Sequence, residues 1–242
     1  MDAWLAAGAG ALAGGALLVG ALIAWFVQVP RRVVAAIMAF GSGVLISALA
    51  FDLVQEAAQQ GGFWPAMSGF LVGAIIYVAA NLVLDRVDAR NRRGSGESPG
   101  TGTGIAVGAL LDGIPETAVL GLSMVAGGQL SIPVLLAIII SNIPEGLAAT
   151  AELKADRRSA RYVFGLWIGI AVACGLSSLG GFMLLEGVPP AGTAFVTAIA
   201  AGAILAMISD TMIPEAFRDA KAFTGLIATI GFFASFGVHQ LA

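Results

Sequence analysis

The chain has 242 residues, 58% of them hydrophobic and 11% charged, with a mean hydropathy of +0.93. A soluble domain carries about 25% charged residues, so this composition excludes a soluble globular fold and describes an integral membrane protein. The formal net charge is −3, with one cysteine, Cys174, and one histidine, His239; an intrachain disulfide, a thiolate cluster and a buried Ser–His pair are excluded with them.

An apolar run of about 20 residues is long enough to cross a bilayer as a helix. Eight such spans are predicted, at about 3–27, 33–55, 64–84, 104–126, 131–151, 162–185, 192–214 and 222–241. The first run lacks a basic leader and is too long for a signal peptide, so it reads as span 1. Its Gly10-x-x-x-Gly14 spacing suits close helix contact in lipid. Span 2 ends on Asp52-Leu-Val-Gln-Glu56-Ala57. Span 3 leads into a Gly/Ser-rich stretch, about 88–103, that reads as a flexible linker. Spans 4 and 5 each carry Ile-Pro-Glu, at 114–116 and 143–145. Span 7 ends on Asp210-Thr-Met-Ile-Pro-Glu215. His239, near the chain end, reads as incidental, and the tryptophans Trp4, Trp25, Trp64 and Trp167 read mostly as an interfacial belt.

All 12 Lys and Arg residues fall in the connections 1–2, 3–4, 5–6 and 7–8. By the positive-inside rule those connections are cytoplasmic and both termini face outward. The expected fold is therefore all-α: one transmembrane domain over residues 1–242, with eight helices. Spans 2 and 7 end on similar acidic segments and run in opposite directions, as do spans 4 and 5. This pattern predicts a 3+2+3 inverted repeat, which places a site at the repeat interface near mid-membrane.

The chemistry concentrates in spans 4 and 5. Pro115 cannot donate to the Leu111 carbonyl, nor Pro144 to that of Ile140, and a freed carbonyl in hydrocarbon needs another partner. Asp112 and Glu116 share one helix face, as do Ser141 and Glu145, and Asn142 lies beside them. An acidic residue at the bilayer centre costs roughly 2.5–3.5 kcal/mol on insertion scales. Asp52, Asp112, Glu116, Glu145 and Asp210 lie within spans, with Glu56 and Glu215 near their ends, and no Lys or Arg lies in any span. Such carboxylates stay protonated or take a cation from outside. The donors are hard oxygens, which suit magnesium, manganese or calcium at least as well as zinc.

These motifs resemble those of the ZIP (Zrt/Irt-like) divalent-metal transporters, over nearly the whole chain. Ser141-Asn-Ile-Pro-Glu-Gly146 matches the family's fifth-span motif after its first position, and Asp112-Gly-Ile-Pro-Glu-Thr117 matches the fourth-span motif more loosely. Met212-Ile-Pro-Glu215 is similar to the seventh-span signature, and Asp52–Ala57 to the end of the second. The resemblance implies a metal site built from Asp112, Glu116, Ser141, Asn142 and Glu145, with Asp112 standing where the family has histidine. The family's second site would fall on Gly113, Asn142 and Ser177, two of which lack its ligand atoms or charge, so one metal site is expected. A homodimer is implied by the resemblance alone.

The functional expectation is transport of a divalent cation (zinc, manganese, iron, magnesium or cadmium) across the cell membrane toward the cytoplasm, with no organic cofactor and no enzymatic activity. Asp52, Glu56, Asp210 and Glu215 are candidate stations on the route, with Asp210 or Glu56 guiding the ion in. The alternative is a membrane protein that binds a cation without moving it, such as a sensor.

Overall fold

The computed structural model describes residues 2–95, 102–127, 129–185 and 187–241. Every regular element among them is helical. α1 is Asp2–Phe26. α2, Arg31–Ala48, passes through a first π segment, Leu49–Gln55, into α3, Glu56–Gly61. α4 is Phe63–Ser95, α5 Gly102–Gly127, α6 Ile132–Ala155 and α7 Ala160–Leu185. α8, Pro190–Met207, passes through a second π segment, Ile208–Met212, into α9, Ile213–Ala220; a short turn, Lys221–Phe223, leads to α10, Thr224–Leu241.

Local sequence sets the ends. Ser131 caps α6, its Oγ accepting from the Val134 N–H at 3.4 Å, with Pro133 in the first turn. Gly62, at φ +97°, turns the chain between α3 and α4. Both helices that carry Ile-Pro-Glu run unbroken through their prolines.

Seven stretches are long and apolar enough to cross a membrane, the last being Pro190–Leu241, 52 residues long. That stretch is interrupted at Lys221, which takes φ +50°. α4 continues to Ser95, so the third helix covers the first half of the expected linker; residues 96–101 lie outside the described residues.

Many large apolar side chains face outward, and alanines fill much of the interior beside a core of buried Leu, Ile and Met. Trp4, Ile75, Leu184 and Phe233 are exposed, while Ala6, Ala13, Ala21 and Ala39 are completely buried. Lipid tails exert no hydrophobic drive between helices, so close backbone approach supplies the cohesion. A Cβ on Gly20 would meet the Ile143 carbonyl, and one on Gly146 the Leu17 carbonyl, so α1 and α6 touch backbone to backbone. Gly10 and Gly14 likewise face Cys174 on α7.

The helices associate in two groups. α1 packs on α6 and α7, and α5 packs on α7; α2 packs on α10, and α4 on α8. The seam between the groups is formed chiefly by α2 against α6 and α5 against α8. The two helices that carry Ile-Pro-Glu therefore touch each other only briefly.

Two features depart from the sequence expectation. Trp167 is not interfacial but fully buried, its indole N–H donating to Thr150 Oγ1 at 2.8 Å. His239 is not incidental: its Nδ1 lies 2.9 Å from Asp52 Oδ1, against the ring of Phe51.

Candidate metal centre

Glu116 lies one turn beyond Asp112 on α5 and is 1% exposed. Neither of its carboxylate oxygens has a hydrogen-bond partner in the protein. Groups this buried are nearly always paired, and an ionised carboxylate without a partner costs several kcal/mol. Asp112 is also buried, and its Oδ1 accepts from the Tyr77 hydroxyl at 3.2 Å.

On α6, Asn142 is buried. Its amide Nδ2 donates to the Ala13 carbonyl of α1 at 3.0 Å, which leaves Oδ1 buried and unpartnered. The bond fixes the amide plane and turns the carbonyl oxygen into a free acceptor. Ser141 is buried, and its hydroxyl donates back to Ile138 O at 3.0 Å, so only its lone pairs remain for a ligand. Glu145 is partly exposed and lies within Coulombic reach of Asp112, Glu116 and Glu215.

The hydroxyls near the first proline do not go to Leu111. Thr117 Oγ1 donates to Gly113 O and Ser177 Oγ to Ile114 O, both at 2.7 Å. Ser177 thereby ties α7 to α5, a structural role. Cys174 is a buried small residue against the Gly113 carbonyl.

Three of the four outlying acids separate into two ends. Asp52 and Glu56 border a nearly closed gap of about 10 Å³, with Ser123, Thr193 and Thr197. At the other end a cavity of about 250 Å³ is bordered by Arg31, Glu152, Glu215, Arg218 and Asp219, with Met38 and Leu147 deeper in. Asp210 is exposed and borders neither of these spaces. Among the described residues no three His, Cys, Asp or Glu side chains come together as a ready-made metal cluster, and the only ion-pair geometry is His239–Asp52.

The chain is thus a helical membrane protein whose interior holds acidic and amide oxygens without basic partners. Compared with curated proteins, it is 27% identical over 207 residues to an Arabidopsis thaliana protein named "Putative zinc transporter". The match covers 84% of this chain but 33% of that protein, so the chain spans about a third of its relative's length. No family model matches.

Sequence reasoning missed Tyr77. It stands in an apolar run, and only the neighbouring carboxylate distinguishes it from a core aromatic.

Proposed function

We propose that the chain moves a divalent metal cation across the membrane toward the cytoplasm, through one site between α5 and α6. Glu116, Asp112, Glu145 and the Asn142 carbonyl supply the ligands, with Ser141 beside them. The observation that carries this reading is Glu116: a carboxylate sealed from water, with two free oxygens, no basic neighbour, and another free oxygen on Asn142. A doubly charged cation satisfies that set, and so do hard ions such as manganese or magnesium. The likeness to a protein named as a zinc transporter supports metal as the cargo.

The direction rests on the ends of the bundle. The open cavity carries Arg31 and Arg218, from two of the basic connections, and Lys154 of a third donates to Trp25 O at that end of α1. By the positive-inside rule this end is cytoplasmic; the cavity stops at Leu147, two residues beyond Glu145, so the wider space lies on the cytoplasmic side of the proposed site. An eight-crossing path is supported by the break at Lys221. The inverted repeat is supported by the partnerships: α2 with α10 mirrors α8 with α4, α1 with α6 mirrors α7 with α5, and α2 and α8 each enter a π segment that carries an aspartate.

A second reading, binding without transport, is favoured by the residues at the positions the resemblance assigns to metal: Asp112 in place of histidine, and Gly113 and Ser177 where the second site would lie. Flux separates the two. In proteoliposomes, Zn²⁺ or Mn²⁺ uptake that is lost in Glu116→Gln supports transport, and tight metal binding without uptake supports the second reading.

A further inference from the structure

Side-chain hydrogen bonds between helices mostly stay within one of the two helix groups. Asn142 to Ala13, Trp167 to Thr150 and Ser177 to Ile114 all join members of the α1–α5–α6–α7 group. His239 to Asp52 joins members of the other. Among the described residues, one such bond crosses the seam: Tyr77 of α4 to Asp112 of α5. Tyr77 is buried, and its hydroxyl also lies 3.3 Å from Thr211 Oγ1 in the second π segment.

The donors settle the order of this chain. Ionised, as a cation ligand is, the Asp112 carboxylate only accepts, and a phenol has one hydrogen. Tyr77 therefore donates to Asp112, and Thr211 donates to Tyr77. The relay engages an oxygen of Asp112 that a cation would otherwise use, in the arrangement whose cavity is open at the basic end.

We propose that Tyr77 is a positioning residue that draws Asp112 off the cation when the site faces the cytoplasm, so that opening weakens the grip and releases the ion. The second π segment sets the contact. Its i→i+5 bonding is a local departure from α geometry, of the kind that recurs at functional sites, and relaxing it would carry Thr211 off the phenol. This inference rests on the transport reading above.

The test uses purified full-length protein, with Mn²⁺ and Zn²⁺ as separate probes. Equilibrium binding in detergent and uptake in proteoliposomes are measured for the wild type, Tyr77→Phe, Thr211→Val and Asp112→Ala. With Asp112 freed, Tyr77→Phe binds metal about fivefold more tightly, the size expected for one hydrogen bond. In uptake its KM and kcat both fall, because release is slowed. Thr211→Val gives a smaller shift of the same sign, and Tyr77→Phe adds nothing to binding in an Asp112→Ala background, where the acceptor is gone. If Tyr77 only braces the fold, kcat falls with KM unchanged or raised, and the effect survives in Asp112→Ala; that result overturns the inference. Absence of wild-type uptake refutes transport itself. The binding arm then still decides the role of Tyr77, since unchanged or weaker affinity in Tyr77→Phe overturns it.

Discussion

Replacing Glu116 with methionine tests the central physical claim without any flux measurement. The side chain is 1% exposed and both its oxygens lack partners. Kept neutral, an unsatisfied buried polar group costs about 1–3 kcal/mol; kept ionised, it costs more. Methionine is similar in length, unbranched and apolar, and it adapts to irregular gaps. In EDTA, Glu116→Met should therefore be more stable than the wild type by about 1–3 kcal/mol. For a chain of this size each kcal/mol shifts Tm by about 2–4 °C. The wild type should in turn gain about 2.7 kcal/mol when a divalent cation is added at a hundred times its Kd, and the variant should gain nothing. Thermal unfolding in detergent, with and without Zn²⁺ or Mn²⁺, reads both quantities. A variant that keeps the full metal-dependent shift would refute the role given to Glu116. A variant less stable in EDTA would show that the carboxyl is satisfied in the apo protein.

Other substitutions test separate parts of the structure. Gly146→Ala puts a methyl into the Leu17 carbonyl and should lower stability by about 1–3 kcal/mol through overpacking, whereas Gly15→Ala, with nothing nearby, should be neutral or raise it by up to about 1 kcal/mol. Thermal unfolding of the pair compares them directly. Thr150→Val strands the Trp167 indole N–H in a dry core and should cost about 1–3 kcal/mol, with a shift in tryptophan fluorescence. His239→Ala removes the partner of Asp52 at the closed end. In a Cys174→Ala background it should speed labelling of Ser123→Cys by a membrane-impermeant thiol reagent; an unchanged rate would mean the pair does not hold that end shut.

Much of the architecture was legible because lipid imposes strict rules. Length and hydropathy set the helices, and Gly10-x-x-x-Gly14 correctly announced a close contact, with α7 as its partner. The two prolines marked the helices that carry the buried acid, and both helices continue through them. What could not be read was direction in space. Asp52 and Asp210 look equivalent in sequence, but one borders the closed gap and the other is exposed. Trp167 and His239 were misread for a related reason. Position along a span says how deep a residue lies, not which helix it faces, and each has a specific partner across a helix contact.

On the transport reading proposed above, the seam between the two helix groups is where movement would have to occur. Within the group that carries Glu116 and Glu145, contacts are backbone against backbone, as at Gly20 and Gly146, and polar side chains such as Asn142 and Ser177 lock helix to helix. Packed this tightly, the group moves as a unit rather than deforming. The seam runs beside the ligands: a Cβ on Gly41 of α2 would sit 3.1 Å from Ser141 Cα on α6, and Asp112 is bound across it by Tyr77. A shift of one group against the other therefore changes the surroundings of Ser141 and Asp112 while leaving the Asn142 anchor within its own group intact. All five proposed ligands belong to one helix group, and only Asp112 among them is hydrogen-bonded by a side chain of the other. On the transport reading proposed above, a displacement at the seam would act on the ligand set first at Asp112.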